Sequence, residues 1–122
     1  YLVAPTTSAE RMSMIASFAR GFIYYVSIKG VTGSASLDVT AVNDKLSMLR
    51  ERTDLPLGVG FGIRDGKSAA AVAEIADAVV VGSTLVKCIE EHAQRLEELP
   101  AAVAGLLAEM RHAINARDLA KA

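Results

Sequence analysis

Two glycine-containing segments carry the clearest chemical signal in this sequence of 122 residues. Gly60-Phe61-Gly62 ends one apolar segment, and Gly82-Ser83 ends another and leads directly into a short predicted helix. Glycine lets the backbone approach a ligand closely, free amides at a helix start attract an anion, and the Ser83 hydroxyl can donate as well. Both segments in this order predict a phosphate-binding site. The alternative for each piece is structural, because glycines also form tight turns and serine also caps helices.

The predicted strand ends carry no group suited to proton transfer. The residues there are Ala4, Ser27, Gly60 and Gly82. The following acidic residues fall on predicted helices and are expected to be solvated: Asp38, Asp44, Glu51, Glu74, Glu90 and Glu91. His92 and His112 are also expected on helix surfaces, and Cys88 on an apolar, packed helix face. General acid–base catalysis needs such groups beside the substrate, so the sequence predicts a chain that holds a substrate and does not break a bond.

Alternating strands and helices must position these segments. Apolar strands are predicted at residues 1–4, 22–27, 57–61 and 78–81. The second of them is apolar and aromatic enough to be buried on both faces. A capping box at Thr7-Ser8-Ala9-Glu10 opens the first helix, Asp65 caps the third, and Pro100 fits the first turn of the last. The order β-α-β-α-β-α-β-α-α implies a parallel sheet covered by helices.

The predicted fold is α/β, the C-terminal half of a TIM (β/α)8 barrel with four parallel βα units plus an extra C-terminal helix. Four units fit either an open α/β layer or half of a barrel, since a complete barrel needs about 250 residues. Such barrels often bind phosphate between the loops after the last two strands and a short extra helix, which is the order found here at Gly62 and Gly82-Ser83. Residues 1–122 are therefore expected to form a single region, the second half of a barrel domain. The long loop at 28–36 is typical of a binding loop or lid.

Composition narrows the classes of partner. The formal net charge is -1, so no basic excess exists to neutralise nucleic-acid phosphates. The single cysteine excludes an internal disulfide and a cysteine-cluster metal site, and no metal site is predicted. No apolar run approaches the roughly 20 residues that span a bilayer, and no signal peptide opens the chain, so a cytoplasmic location away from membranes is expected. The chain begins with Tyr1 instead of methionine, which suggests a processed, cut or partly observed polypeptide.

Four motifs in order resemble one enzyme family. They are Phe22-Ile23-Tyr24-Tyr25-Val26-Ser27, Gly30-Val31-Thr32-Gly33, Gly60-Phe61-Gly62-Ile63 and Val80-Val81-Gly82-Ser83. Together they resemble the C-terminal half of the tryptophan synthase α subunit over essentially the whole chain. The Val-Thr-Gly loop after a tyrosine-bearing strand is the most specific of them. Ile28-Lys29 departs from the Arg-Ser type of sequence that is more usual before the loop glycine.

The resemblance implies a barrel that cleaves indole-3-glycerol phosphate to indole and glyceraldehyde 3-phosphate in tryptophan biosynthesis. It also implies an α2β2 heterotetramer in which indole passes to the tryptophan synthase β subunit. Pyridoxal phosphate is expected in that β partner, and no cofactor is expected in this subunit. The family's catalytic glutamate and aspartate belong to the N-terminal half and have no counterpart here. The 122-residue chain alone is therefore expected to lack lyase activity.

The resemblance also assigns individual residues. Those matching substrate phosphate-binding positions are Gly33, Gly62, Gly82 and Ser83, and those matching substrate-pocket positions are Leu2, Tyr24, Thr32 and Phe61. Tyr24 matches a position near a catalytic carboxylate, so it supports catalysis without being catalytic itself; its alternative role is to fill the barrel core. Thr32 lies in the mobile loop that closes over the site and responds to the β subunit, whereas Lys29 is expected to be solvated.

Two other readings stay open on the sequence. Another phosphate-binding TIM-barrel enzyme, such as indole-glycerol-phosphate synthase or phosphoribosylanthranilate isomerase, would share the terminal phosphate site, although Val31-Thr32-Gly33 after a tyrosine-rich strand argues against both. A non-catalytic half-barrel that binds phosphorylated ligands would expose two sheet edges and apolar strand faces. Such a half-barrel should dimerise, aggregate or need its missing partner half, whereas a monomer that unfolds cooperatively would indicate a self-sufficient open α/β domain.

Overall fold

A computed structural model describes residues 1–27, 38–60 and 62–121 of the chain. In chain order the elements are β1 (Leu2–Val3), α1 (Ala9–Phe18), β2 (Ile23–Val26), α2 (Val39–Arg50), β3 (Leu57–Gly60), α3 (Gly66–Ala73), β4 (Ala78–Val80), α4 (Ser83–Glu91) and α5 (Leu99–Lys121). The predicted sequence of four βα units and an extra closing helix is confirmed, with somewhat shorter strands than predicted. The whole of the predicted loop at 28–36 lies outside the described residues.

The four strands form one parallel sheet in the order β1-β2-β3-β4. Neighbours in sequence are therefore neighbours in the sheet, and the strand order has no reversal. Parallel crossovers are right-handed, so an order without reversal carries every crossover helix to the same face. This is the winding of a barrel, whereas a doubly wound sheet reverses its order and has helices on both faces.

One face of the sheet forms the core with the helices. Val3, Tyr25, Val59 and Val79 occupy one row across the four strands, and the first three of these are buried. The helices cover this row with the buried side chains Met12, Val42, Leu46, Leu49 and Val72. Burying such side chains contributes about 1.5–3 kcal/mol each relative to leaving them in water. These strand residues all point to the same side of the sheet, and the helices pack against that side.

The opposite face is largely uncovered in the described part of the chain. Leu2 is 63% exposed, Phe22 52% and Val80 38%. In β2 the burial alternates, with Ile23 and Tyr25 buried and their neighbours Tyr24 and Val26 half-buried. The prediction that this strand is buried on both faces is therefore wrong, because helices pack against only one of them. The exposed row of apolar side chains agrees with the expectation for a half-barrel.

Side-chain caps were predicted at the starts of α1 and α3, and the structure confirms only the second. Asp65 caps α3 as predicted: its carboxylate accepts from the Ser68 amide at 2.8 Å, and the Ser68 hydroxyl accepts from the Asp65 amide at 3.1 Å. The Thr7–Glu10 capping box is wrong. Thr7 Oγ1 accepts from the Ala4 amide at 3.0 Å and so closes the turn after β1, and Ser8 Oγ takes over the cap of α1 by accepting from the Arg11 amide at 3.2 Å.

The last helix, α5, packs mainly against α3. Met110, from its predicted apolar stripe, is buried, whereas Leu107 is 41% exposed. Pro100 lies in its first turn, as predicted. Among the described helices, none is long and apolar enough to cross a membrane.

Candidate anion-binding site

The carboxyl ends of β3 and β4 open into one cavity of about 320 Å³. Its lining residues are Tyr24, Gly62, Ile63, Arg64, Val80, Gly82, Ser83 and Thr84. Parallel neighbouring strands end at the same edge of a sheet, which is why segments some 20 residues apart in sequence meet there. Three of the four residues predicted to bind phosphate, together with Tyr24, are thereby brought to one place. The fourth, Gly33, lies outside the described residues.

Gly62 shapes the first side of this cavity through its backbone conformation. Its φ is +76°, in the left-handed region that favours glycine, and a Cβ built there would meet nothing within 4 Å. The need for glycine is therefore conformational and does not come from crowding. Gly62 lines the cavity and contributes no side chain to it.

The start of α4 forms the second side. Gly82 is its N-cap residue and offers no capping side chain, so no side-chain hydrogen bond caps this helix. The Gly82 carbonyl accepts from the amides of Leu85 and Val86 at 2.9 and 3.1 Å, which leaves the earlier amides without a partner in the helix. Unpartnered amides at the positive end of a helix of nine residues are suited to an anion.

Tyr24 lines the cavity, and its ring lies against Gly60 at the end of β3. A Cβ built on Gly60 would stand 2.6 Å from Tyr24 Cζ, so the tyrosine ring occupies the space that any larger residue would need. Gly60 was not among the predicted site residues, although a glycine inside a strand is a recognised sign of close approach. Ser27 supports the same strand end, because its hydroxyl donates to the Gly60 carbonyl at 2.7 Å.

A second contact that the sequence did not predict joins the two sides of the cavity. Thr84 Oγ1 donates a hydrogen bond to the Ile63 carbonyl oxygen at 2.7 Å. Ile63 follows Gly62 and Thr84 follows Ser83, so the bond ties the loop after β3 to the first turn of α4. No sequence signal could have paired these two residues, which are separated by 21 positions.

The charge around the cavity favours an anion. Arg64 lines it, and its guanidinium makes no hydrogen bond or ion pair with any residue in the described ranges. No described residue in the lining is acidic. The nearest carboxylate in sequence, Asp65, is engaged elsewhere: hydrogen bonds from the Ser68 amide and hydroxyl lower the pKa of Asp65, with Arg64 and Lys67 adding a smaller effect. The cavity therefore offers donors and positive charge, but no carboxylate or imidazole among its described lining residues.

The remaining predicted pocket residues are placed as follows. Leu2 pairs with Tyr24 across the sheet and lies on the same open face, but it does not line the cavity. Thr32 and Phe61 fall outside the described residues. Tyr24 is the one predicted pocket residue that the structure brings beside the glycines.

Other titratable groups serve the fold at a distance from the cavity. Two of the acids expected to be solvated have structural roles: Asp38 accepts from the Ala41 amide at 3.1 Å as the cap of α2, and Glu74 lies 3.7 Å from Arg117 Nε. Both residues are exposed, as expected, and each also has a structural contact, because the start of α2 needs an acceptor and α5 brings a cation to the end of α3. Cys88 Sγ lies 4.0 Å from His92 Nδ1 at the end of α4, where the cysteine is half-buried. Within the described ranges, no three potential metal ligands cluster.

Comparison with known proteins identifies what this arrangement is similar to. A sequence model of one family, the tryptophan synthase alpha chain, matches residues 1–115. The chain is 58% identical over 115 residues to the tryptophan synthase alpha chain of Thioalkalivibrio sulfidiphilus, covering 94% of this chain and 43% of that one. Over 118 residues it is 52% identical to the alpha chain of Nitrosococcus oceani, covering 97% of this chain and 44% of that one.

Comparison of the structure with solved structures finds the same group of proteins. The structure is similar to the crystal structure of tryptophan synthase subunit alpha from Legionella pneumophila, with a TM-score of 0.76 and 39% identity over 94% of this chain and 41% of that one. The present chain thus spans less than half the length of the curated relatives it matches. The family match also decides against the two neighbouring barrel enzymes that the sequence left open.

Proposed function

Because the chain belongs to the tryptophan synthase alpha chain family, we propose that it is the part of an α subunit that holds the phosphate group of indole-3-glycerol phosphate. The observation that carries this proposal is the convergence of Gly62, Gly82 and Ser83 on one cavity without a described acidic residue in its lining. Residues 1–122 would then be the second half of a single barrel domain.

Each side of the cavity has a distinct part in binding. The amides beside Gly62 and at the start of α4 donate to phosphate oxygens, and the Ser83 hydroxyl adds a donor. Gly33 supplies a further amide from the loop after β2. Leu2, Tyr24, Thr32 and Phe61 contribute to the substrate pocket.

The reaction of the complete subunit is the cleavage of indole-3-glycerol phosphate to indole and glyceraldehyde 3-phosphate. Breaking this carbon–carbon bond requires proton transfers to and from the substrate, and no described cavity residue carries a carboxylate or an imidazole. We assign these transfers to a glutamate and an aspartate outside the 122 residues, with the Tyr24 hydroxyl orienting one of them. The 122-residue chain by itself then binds phosphate but has no lyase activity.

The complete subunit works with a partner. It associates with tryptophan synthase β subunits as an α2β2 heterotetramer in the cytoplasm and passes indole to them. Pyridoxal phosphate belongs to the β subunit, and the α subunit needs no cofactor for its own step. The cavity lining offers hydrogen-bond donors and one cation, which are groups that hold a phosphate ester.

The proposal is tested with a grafted subunit, in which these 122 residues replace the matching 115 residues of the T. sulfidiphilus alpha chain. Purified grafted subunit is expected to release indole from indole-3-glycerol phosphate, and more rapidly with the β subunit present. The 122-residue chain alone is expected to release none. An inactive but folded graft would count against the proposed function, and clear turnover by the isolated chain would count against the assignment of the acids to other residues.

A second candidate, a non-catalytic half-barrel that binds phosphorylated ligands, is favoured by one observation. The sheet face that carries Leu2, Phe22 and Val80 is exposed, as expected of a half-barrel that associates with another copy of itself. The same graft separates the two, because a subunit that binds phosphate without any turnover supports the non-catalytic alternative.

A further inference from the structure

Among the residues that the structure describes, Thr84 makes the one side-chain hydrogen bond that crosses the cavity from one side to the other. Its hydroxyl donates to the Ile63 carbonyl oxygen at 2.7 Å. Thr84 is the second residue of α4, directly after Ser83, and Ile63 directly follows Gly62. One hydrogen bond therefore links the immediate neighbours of both groups that face the candidate phosphate.

Both ends of this bond are held firmly. The Ile63 side chain is 4% exposed and belongs to the hydrophobic core. Thr84 is β-branched and lies in a helix, which restricts its χ1 angle to few rotamers. The bond therefore joins a residue anchored in the core to a residue fixed on the helix.

The segment between these anchors needs such support. Gly62 has a positive φ and no side chain of its own to hold it in place. Further along, the Ser68 hydroxyl accepts from the amides of Arg64 and Asp65 at 3.0 and 3.1 Å, which fixes the far end of the loop. The Thr84 bond fixes the near end, beside Gly62.

We propose that Thr84 is a positioning residue, whose hydroxyl sets the separation between the Gly62 peptide and the first amides of α4. This inference rests on the proposed phosphate-binding function. The Thr84 hydroxyl is committed to Ile63, so Thr84 does not itself donate to the ligand through that hydrogen. Ile63 also lines the cavity, and the bond satisfies a carbonyl acceptor that would otherwise repel a nearby anion.

The experiment measures binding of inorganic phosphate to the grafted subunit through the amide NMR signals of Gly62, Gly82 and Ser83. Thr84→Val removes the hydroxyl at nearly constant volume, and Thr84→Ser keeps it. Thr40→Val is the matched control, because Thr40 is also the second residue of its helix, is exposed and lies away from the cavity.

Thr84→Val is expected to weaken phosphate binding about fivefold, as expected for one lost hydrogen bond. The Thr84→Val substitution should also make hydrogen exchange faster at the backbone amides of residues 62–64 in the protein without phosphate. Thr84→Ser should bind phosphate with an affinity within about twofold of the parent affinity. Thr40→Val should bind phosphate with the same affinity as the parent. The KM for indole-3-glycerol phosphate should rise in Thr84→Val with kcat little changed, a split that a general loss of folded protein would not give.

The outcomes separate this inference from the proposed function. If the parent graft shows no shift at these amides with phosphate, the proposed function fails. If the parent binds and Thr84→Val binds equally well, the positioning role of Thr84 is overturned while the proposed function stands. If Thr84→Val does not fold, Thr84→Ala and Thr84→Ser replace it as the pair, since both lose the methyl group and differ only in the hydroxyl. Equal binding by that pair overturns the positioning role.

Discussion

Individual glycines in the candidate site serve different physical purposes. Gly60 leaves room for the Tyr24 ring, whereas Gly62 adopts a positive φ in open space. Neither reason for glycine applies at Gly82, because its φ is −123° and a Cβ there would meet nothing within 4 Å. At Gly82 the absence of a side chain serves the helix start, where amides stay open to a ligand. Substitutions at these glycines should therefore fail for different reasons.

Gly60→Ala is expected to destabilise the grafted subunit. The added Cβ would stand 2.6 Å from Tyr24 Cζ, so the ring or the strand must move. Overpacking of this kind costs about 1–3 kcal/mol, to be measured by urea denaturation. Gly105→Ala is the control, because its Cβ would meet nothing within 4 Å and alanine in a helix interior is favoured by about 1 kcal/mol. Equal effects of the two substitutions would contradict the close approach of Tyr24 to Gly60.

Arg64→Gln is expected to weaken phosphate binding about threefold at low ionic strength and to reduce its salt dependence. The guanidinium lines the cavity without a described partner, and exposed charges are screened by salt over about 10 Å at 0.1 M. Calorimetry at two salt concentrations measures both effects. Lys67→Gln is the matched control, since Lys67 also faces Asp65 but does not line the cavity. The role of Arg64 would be refuted by equal losses in the two variants.

At the scale of the elements, β3 is held at both of its ends. At its start the Asp77 carboxylate accepts from the Leu57 amide at 2.9 Å and pairs with Arg50 at 3.2 Å. At its end Ser27 donates to the Gly60 carbonyl at 2.7 Å. Since β3 leads into Gly62, these contacts determine where one side of the cavity stands relative to α4.

Asp77 should make the stability of the fold dependent on pH in the acid range. The Leu57 amide, followed by Arg50, lowers the pKa of Asp77 below its ordinary value. A lowered pKa means that the folded state favours the ionised form, so the stabilisation is complete above the ordinary aspartate value of about 4 and is lost as the pH falls through the folded-state pKa. Asp77→Asn should therefore lower the free energy of unfolding by about 1 kcal/mol near neutral pH, a modest figure because both side chains are partly exposed.

Urea denaturation at several pH values measures this effect. The difference between parent and Asp77→Asn should shrink below pH of about 4. Asp44→Asn provides the control, because Asp44 is exposed on α2. A constant difference at every pH would show that the Asp77 charge is not what stabilises β3.

Local sequence patterns predicted the helices and strands well. They could not predict contacts between residues that are far apart in sequence. Asp65 was found as a cap because its partner Ser68 is only three residues away. Thr7 was misassigned because its oxygen has two local uses, and the turn at Ala4 takes it. The contact of Tyr24 with Gly60 depends on strand register, and the bond from Thr84 depends on how α4 meets the β3 loop. The glycine motifs thus indicated the kind of site, whereas the residues that position it required the structure.

At the scale of the whole molecule, the sheet has helices on one face and exposed apolar side chains on the other. Leu2, Phe22 and Val80 are exposed on or beside that second face, and β1 and β4 are edge strands of the described sheet. The chain also spans less than half of the relatives it matches. These facts together suggest that the open face is where further barrel strands would pack.

The isolated 122-residue chain is therefore expected to self-associate with rising concentration. Sedimentation analysis measures this, and Leu2→Lys should reduce association because it places a charge on the open face. Leu119→Lys, at a side chain that is 78% exposed on α5, should leave association unchanged. A monomer that unfolds cooperatively would support a self-sufficient open α/β domain instead.

The most direct test of the central claim is a crystal structure of the grafted subunit with glycerol 3-phosphate bound. We expect density for the phosphate between the Gly62 peptide and the first turn of α4, within hydrogen-bond distance of the Ser83 amide and hydroxyl. Phosphate bound at another place, or amides at these two sides directed away from a common point, would contradict the account.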